Sequence, residues 1–582
     1  MKTFSIIYSI LNKKEKKDYI FLLLFIFISS FFDLLGLASI LPFLFLITNE
    51  ELLDTNKYIN YFYILFLNFN IINDKRGFFL IFGFITLLFF LFSILSRIFS
   101  YRYIIKFTFN FENSLAIRLV TNYLSMNYEW FLDKDISKIH KNVLLQTREV
   151  IDKTIYPLVN LYSHAMIILF ILFFILFHNP AAVINIFMSL IIFYLTYNFF
   201  FKKKIIVKGS NSHNSNTSRL KVLTNIFLSI KHTKIYHLEK KYLESFSKYS
   251  ENFMKNQIFI QIASILPRQF LELFGFGFII LLVLVNIYYN EVILKDFIPV
   301  IIIYVLAGYR LIPSLQQVYH SLANITFSNT SFLALVEDLE KITSEIELKN
   351  KNLPKMPFSK SVTLQSVSYK YKSSNKNILN DISLNIKAFS KIGIIGKSGS
   401  GKSTLMDIII GLIKPTNGKI FVDENLLDND NIFSWQKNIG YVTQDIQLFN
   451  DSLINNIVGY QSKKNINQKF VEKISKICCI HDFIAKQLPR GYNTSIGENG
   501  VTLSGGQKQR IGILRALYFK PKFLILDEAT NALDKQTEEL VIRSLCNFSK
   551  KMTLIIVSHR ENVLKYCDKI YFLKNKKLQT IK

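Results

Sequence analysis

The chain is short of acid, cysteine and tryptophan. Its 42 Asp and Glu stand against 70 Lys and Arg, a formal charge of +28. Such an excess invites a nucleic-acid reading, yet no motif combining aromatic and basic residues for base contact occurs. The basic residues instead flank long apolar runs, where cytoplasmic loops of membrane proteins collect Lys and Arg. No nucleic-acid partner is expected. The cysteines are four, Cys478, Cys479, Cys546 and Cys567, all late in the chain and without metal-ligand spacing. That excludes a disulfide framework and suits a reduced compartment. Two Trp accompany 54 Phe. The amino terminus lacks a small-residue cleavage site after its first apolar run, which at 19–47 far exceeds a signal-peptide core. This run is expected to remain as a span.

What is abundant is apolar: half of all residues, crowded into the first 320 positions, whereas the last 230 alternate apolar with polar and hold most of the glycine. The reading is a transmembrane domain at 1–320, a linker at 321–360 and a soluble nucleotide-binding domain at 361–582. Six spans reach or exceed the ~20 residues needed to cross a bilayer: 19–47, 77–99, 155–177, 181–201, 258–287 and 297–315. The connections at 100–154 and 202–257 are long and basic, those at 178–180 and 288–296 short. Both long loops and both termini are therefore placed in the cytoplasm, with helix pairs 2–3 and 4–5 extending into it. Residues 58–71, within the first outer loop, are too short for a confident crossing and are taken as an external interfacial segment. Phe4, Ile7, Tyr8 and Leu11, at helical spacing before KKEKK, suit a helix lying on the inner membrane surface.

IGIIGKSGSGKSTLMDIIIGL, 392–412, is a short apolar strand, a Gly-rich turn and a helix, the context of a P-loop. Backbone N–H groups around Gly396, Ser398, Gly399 and Gly401 can wrap a phosphate at a helix amino terminus. Lys402 reaches the β and γ phosphates, Ser403 can ligate Mg²⁺, and Thr404 follows as a further nucleotide contact. FLILDEAT, 523–530, ends an apolar strand in two carboxylates. Asp527 is delivered to the metal side, and Glu528 is placed to orient and deprotonate a water. Between these motifs, VTLSGGQKQRIGILRAL, 501–517, sets a Ser-Gly-Gly turn at the start of a basic amphipathic helix, a second anion-binding helix end. One nucleotide sits on both ends only if they face each other from different subunits.

LSGGQ at 503–507 resembles the signature of ATP-binding-cassette transporters. The resemblance implies an α-helical six-span domain of exporter type followed by an α/β P-loop ATPase. It also implies ATP and Mg²⁺ as cofactors and, with one domain of each kind per chain, a homodimer. Each ATP would then lie between Lys402 of one subunit and Ser504, Gly505, Gly506 and Gln507 of the other. Tyr371, 25 residues before Gly396, is similar to the aromatic that stacks on adenine. Gln444 in YVTQD is similar to the glutamine that senses Mg²⁺ and the attacking water, Asp534 in NALD to the aspartate that communicates between sites, and His559 in VSHR to the switch histidine on the γ phosphate. GENG, 497–500, resembles the segment by which exporters touch their coupling loops. Asn531 replaces a usual serine, and Gly512 and Leu514 replace usual alanines; none of these is a phosphate, metal or base residue.

For the cargo, charges inside spans are the markers: Asp33, Arg268, Glu272 and Arg310. Arg268 and Arg310 fall toward the cytoplasmic side of spans 5 and 6, where a pair of guanidinium groups suits phosphate oxygens; the alternative is that Arg268 pairs with Glu272 one turn on. Arg97 and Arg102 are expected to snorkel to the interface. PRQFLE with Gly275, GYRLIPS at 308–314 and DLLGLASILPF at 33–43 are similar to stretches of bacterial flippases for lipid-linked oligosaccharides. That resemblance implies an undecaprenyl-pyrophosphate glycan moved across a bacterial inner membrane. An exporter of lipid A, peptides or hydrophobic drugs is the alternative.

Overall fold

Apolar runs flanked by helix-compatible basic stretches fold as single long helices that outrun the bilayer. In the computed structural model Lys75–Ser125 and Glu239–Tyr289 are each 51 residues, roughly 77 Å at 1.5 Å per residue against ~30 Å of hydrocarbon. The structure describes residues 2–48, 57–68, 74–178, 199, 201–289, 294–340, 353–371, 376–459, 466–497, 501–548 and 551–581. Two compact units result: Met1–Met126 with Lys134–Leu348, and Asn127–Asp133 with Lys349–Lys582.

The first unit is helical. Lys13–Thr48 packs along Lys75–Ser125, and Tyr156–His178, entered through π-helical turns at Lys141–Gln146 and Ile151–Ile155, packs on Leu294–Phe327. Among the described residues three helical stretches are long and apolar enough to cross a membrane: Lys13–Ile40, Lys75–Ser125 and Ser137–Leu176. The expected spans at 258–287 and 297–315 lie within the helices Glu239–Tyr289 and Leu294–Phe327. The span expected at 181–201 falls outside the described residues apart from Phe199 and Phe201. In the outer segment Lys57–Asn68 is helical; its 12 residues extend about 18 Å, too short to span.

Two expectations need correction. The stretch expected as linker from 321 is helical as far as Glu340: Leu294–Phe327 runs past 321, and Asn329–Glu340 is a helix with Phe332 and Leu335 buried. Gln146 donates to the Ser331 carbonyl at 2.7 Å and the Tyr123 hydroxyl to Asp338 at 3.0 Å, so this helix is fastened into the first unit. Arg97 does not snorkel. Its guanidinium donates to both oxygens of Asp33, at 2.5 and 3.2 Å, and the Ser93 hydroxyl donates to the same carboxylate. A carboxylate that is 7% exposed on an apolar helix needs a cation and hydrogen bonds beside it. Partners lying 64 residues apart cannot be matched by helical spacing.

The second unit carries two main sheets. β1 (Ser361–Tyr369), β2 (Leu379–Lys387), β4 (Asn417–Val422) and β5 (Asn425–Leu426) form an antiparallel sheet in the order β2-β1-β4-β5. The other sheet uses β3 (Lys391–Gly396), β6 (Ile439–Val442), β9 (Phe523–Asp527), β10 (Thr553–Val557), β11 (Lys569–Lys574) and β12 (Lys577–Thr580), in the order β12-β11-β3-β10-β9-β6. All its pairs are parallel except β11 with β12. β7 (Asp451–Ser452) and β8 (Ser495–Ile496) make a small ladder. FLILD and TLIIV are buried at every position, as unbroken apolar strands covered on both faces must be. Val557 pairs with both Asp527 and Ile394. The carboxyl ends of β3, β9 and β10 are thus level, and the loops leaving them converge where parallel sheets bind ligands.

Candidate functional site: a nucleotide cradle at the strand ends

Lys402, Asp527, Glu528 and His559 lie at or just beyond the ends of buried strands. After β3 the loop turns through Gly399 (φ +74°) and Gly401 (φ +101°), the latter capping the helix Lys402–Ile410. Gly401 combines a left-handed backbone with a tight site, since a Cβ there would lie 3.0 Å from side-chain atoms of Ile378 and Leu379. The turn leaves helix N–H groups unpaired in front of the loop. Lys402, 7% exposed, folds its ammonium over this loop, donating to the carbonyls of Gly396 (2.9 Å) and Lys397 (3.2 Å). The Tyr371 hydroxyl shares a 3.1 Å hydrogen bond with Thr404, and its ring meets Tyr369 edge-on at 5.1 Å. An aromatic face is thereby held at the start of the P-loop helix.

Glu528 follows β9 in the left-handed region (φ +52°), a conformation rare outside glycine and concentrated at functional sites. Its amide donates to the Val557 carbonyl at 3.0 Å. One carboxylate oxygen lies 3.2 Å from His559 Nε2 and 3.8 Å from Lys402 Nζ; the other accepts from Asn531 Nδ2 at 3.0 Å. Lys402 and His559 are themselves 3.1 Å apart. Glu528, His559 and Lys402 form one cluster, and Asn531, in place of the usual serine, tethers the Glu528 carboxylate.

Asp527 accepts from the Tyr441 hydroxyl at 3.2 Å and from Ser403, yet burial raises its carboxyl above the usual range. Two hard oxygen groups at a helix start suit Mg²⁺; Ser403 and Asp527 would hold it, and when bound it would neutralise phosphate charge. The neighbouring Asp407 is pushed up to about 6, first by burial and then by Asp527. Gln444, exposed and two residues past β6, makes no hydrogen bond to this cluster among the described residues.

The signature is built separately. Ser504 caps the helix Gly505–Tyr518 in a reciprocal capping box: its hydroxyl accepts from the Gln507 amide at 3.2 Å while the Gln507 side chain accepts from the Ser504 amide at 2.8 Å. The Ser504 hydroxyl proton stays available to an anion at the helix end. Among the described residues no hydrogen bond or ion pair joins 504–507 to the P-loop. Asp534 caps its own helix, accepting from the Thr537 amide at 2.9 Å, which lowers its carboxyl.

Sequence reasoning missed the residues that brace these motifs. Gln509 accepts from the Ala532 amide at 2.8 Å and reaches the Glu528 carbonyl at 3.5 Å, linking the signature helix to the loop after β9. Arg560 donates to the carbonyls of Asn531 (2.7 Å) and Leu533 (3.2 Å) and to buried Glu538 (2.9 Å). Gly512 is explained by Ile446, whose Cδ1 would lie 2.2 Å from an added Cβ. The segment carrying Gln444 therefore packs where an alanine would require the Ile446 side chain to shift. Of GENG, only Gly497 lies within the described residues.

Residues 379–531 match a family model described as ABC transporter. The chain carries an ABC transporter ATP-binding domain. Over its whole length it has an exporter fold, superposing on a structure titled a bacterial Atm1-family ABC exporter with ATP bound, with a TM-score of 0.76 at 20% identity over 97% of this chain and 94% of that one. It is 37% identical over 255 residues to the ATP-dependent lipid A-core flippase of Pseudoalteromonas translucida, 43% of this chain and 42% of that protein. It is also 41% identical over 220 residues to the Alpha-hemolysin translocation ATP-binding protein HlyB of Escherichia coli, 37% of this chain and 30% of that protein. The chain spans less than half the length of these relatives.

In the membrane unit Arg268 donates to Glu272 at 2.6 Å, one turn along its helix. Arg310 lines a small cavity with Asp33, Ser30 and Phe170. Among the described residues no hydrogen bond or ion pair joins the two arginines.

Proposed function

We propose that this protein is an ATP-hydrolysing exporter that works as a homodimer in a bacterial inner membrane and flips a lipid-linked pyrophosphate oligosaccharide or related glycolipid. The observation that carries the ATPase reading is the Lys402–Glu528–His559 cluster at the level ends of β3, β9 and β10. Lys402 and the loop amides bind the phosphates, Glu528 takes the proton of the attacking water, and His559 and Asn531 orient that carboxylate.

The separation of the Ser504 helix end from the P-loop supports a composite site closed by a second copy. A second support is the bend of the long loop at 228–236. Leu228, Ile235 and Tyr236 are 83%, 68% and 65% exposed there, an apolar tip suited to docking on the partner's ATP-binding domain. Asn127–Asp133, at the bend of the other loop, clusters with its own domain, where the Tyr369 hydroxyl donates to Glu129 at 3.4 Å.

The anionic headgroup is supported by Arg310 beside the Asp33–Arg97 pair, two guanidinium groups against one carboxylate. The test is ATP-dependent translocation of a short-chain lipid-pyrophosphate oligosaccharide in proteoliposomes. Arg310→Ala is expected to slow it more than Arg268→Ala, because Arg268 already has Glu272. Full activity in both variants would remove the pyrophosphate reading and favour export of peptides or hydrophobic compounds.

A further inference from the structure

A second cavity of about 300 Å³ opens in the membrane unit, lined by Tyr101, Tyr156, Asn160, His164, Gln317 and His320. It lies where three helices meet the cytoplasmic boundary expected from the sequence. Tyr101 follows span 2, Tyr156, Asn160 and His164 open span 3 at four-residue spacing on one face, and Gln317 and His320 follow span 6. A group on an inner-leaflet lipid would sit at this depth.

The lining is unlike that around Arg310. Among the described residues no lysine or arginine lines it, and the carboxylate at its rim, Asp152, is engaged by Arg148 at 2.8 Å. Asn160 is 9% exposed, and among the described residues neither its Oδ1 nor the buried Nδ1 of His164 has a hydrogen-bond partner. Buried polar atoms are ordinarily satisfied; these two belong to residues that line the cavity. The remaining lining supplies two phenol hydroxyls, a second amide and a second imidazole. Without a formal positive charge the cavity does not select phosphate; donors and acceptors of six side chains stand among aromatic and apolar surface, and an alkyl chain would leave them unsatisfied. Amides and imidazoles that both donate and accept, with aromatic rings between them, match a ligand whose hydroxyls also do both.

We infer that this cavity is a subsite for a neutral sugar residue. The inference rests on the flippase reading above only in taking that sugar to be the cargo's.

The test uses the full-length protein in nanodiscs free of glycolipid, reading ATPase stimulation by three probes: a short-chain prenyl-pyrophosphate oligosaccharide, the same prenyl pyrophosphate without sugar, and a prenyl oligosaccharide without phosphate. Asn160→Leu and His164→Phe are each expected to weaken the response to both sugar-bearing probes about tenfold and to leave the sugar-free probe unchanged. The sugar-free response also reports that the variants are folded; Gln317→Leu provides a milder variant of the same wall. Equal loss for all three probes, or no loss for any, would overturn the subsite. A wild type that answers the phosphate-free glycolipid but not the sugar-free pyrophosphate would defeat the pyrophosphate reading and leave the subsite standing. Silence toward both sugar probes in the wild type would defeat the subsite. Impaired transport of the full cargo in Asn160→Leu assigns the sugar to the cargo, and an effect confined to the phosphate-free glycolipid assigns it to a resident lipid.

Discussion

Arg560→Ala removes a side chain that closes the VSHR motif but is given no role in it. Its guanidinium makes three hydrogen bonds, to the carbonyls of Asn531 and Leu533 and to Glu538, whose side chain is 2% exposed. Truncation leaves a buried carboxylate without its cation, a change that costs about 3–5 kcal/mol in buried pairs. Because the arginine is itself 37% exposed, water can follow it in, and the low end, about 3 kcal/mol, is expected. At about 2–4 °C per kcal/mol for a domain of this size, the ATP-binding domain should melt about 6–12 °C lower. The assay is a thermal melt of the detergent-solubilised full chain without nucleotide. Arg560→Ala with Glu538→Gln should recover about half of the loss, since a neutral amide is cheaper to bury than a carboxylate. The braced loop also tethers Glu528 through Asn531, so turnover should fall further than the melt alone implies. A single variant melting within 1 °C of wild type, or a double variant no better than the single, would refute the brace.

Glu528→Gln should bind ATP yet hydrolyse it about 10²–10⁴-fold more slowly, because the water loses its base while the phosphate ligands remain; ordinary turnover in a phosphate-release assay would sink that role. Lys402→Ala should weaken nucleotide binding by about 10–100-fold, the scale of one charged hydrogen bond, measured by fluorescent-nucleotide titration; unchanged affinity would show that the ammonium does not reach phosphate. Asp407→Asn tests a pH dependence. The native carboxyl titrates at about 6 against 3.8 for the ordinary group, so the native state holds the extra proton between these values. Stability then falls as pH rises from about 4 to 6, by up to about 3 kcal/mol, and stays lower above 6. Replacement by Asn should raise the melting temperature at pH 7.5 and change it little at pH 4; an equal shift at both would exclude the titration.

The cradle was legible in the sequence because its parts are contiguous and each follows a short apolar strand. Gly396 to Thr404, Asp527 with Glu528, and His559 needed only level strand ends to meet, and parallel pairing through Val557 provides that. What escaped is held by contacts between distant positions. Asp33 meets Arg97 only because two long helices lie side by side, and hydropathy alone left Arg97 free to seek the interface. Arg560 and Gln509 act on backbone carbonyls, an amide and the Glu538 carboxylate around the loop after β9, for which residue type carries little signal. Asn531 and Gly512 did register as departures from a familiar pattern, and both gain a physical reason from a neighbour, Glu528 and Ile446.

Those two departures bear on how the site assembles. Ser504 and Gln507 satisfy each other in a capping box, so the signature is rigid without its ligand and presents helix N–H groups and one hydroxyl proton outward. The same helix is tied through Gln509 to the backbone of Ala532 and Glu528, and Gly512 lets it bear on Ile446, two residues past Gln444. In the proposed homodimer a phosphate drawn onto Ser504 from a partner's P-loop would pull on a helix already linked to Glu528 of its own subunit. In such an arrangement each site's closure is felt at the other through Gln509 and Ala532. Gln509→Leu then becomes the discriminating variant: cooperativity in ATP should fall toward independent sites while single-site nucleotide affinity holds, and a Hill coefficient equal to wild type would break the link.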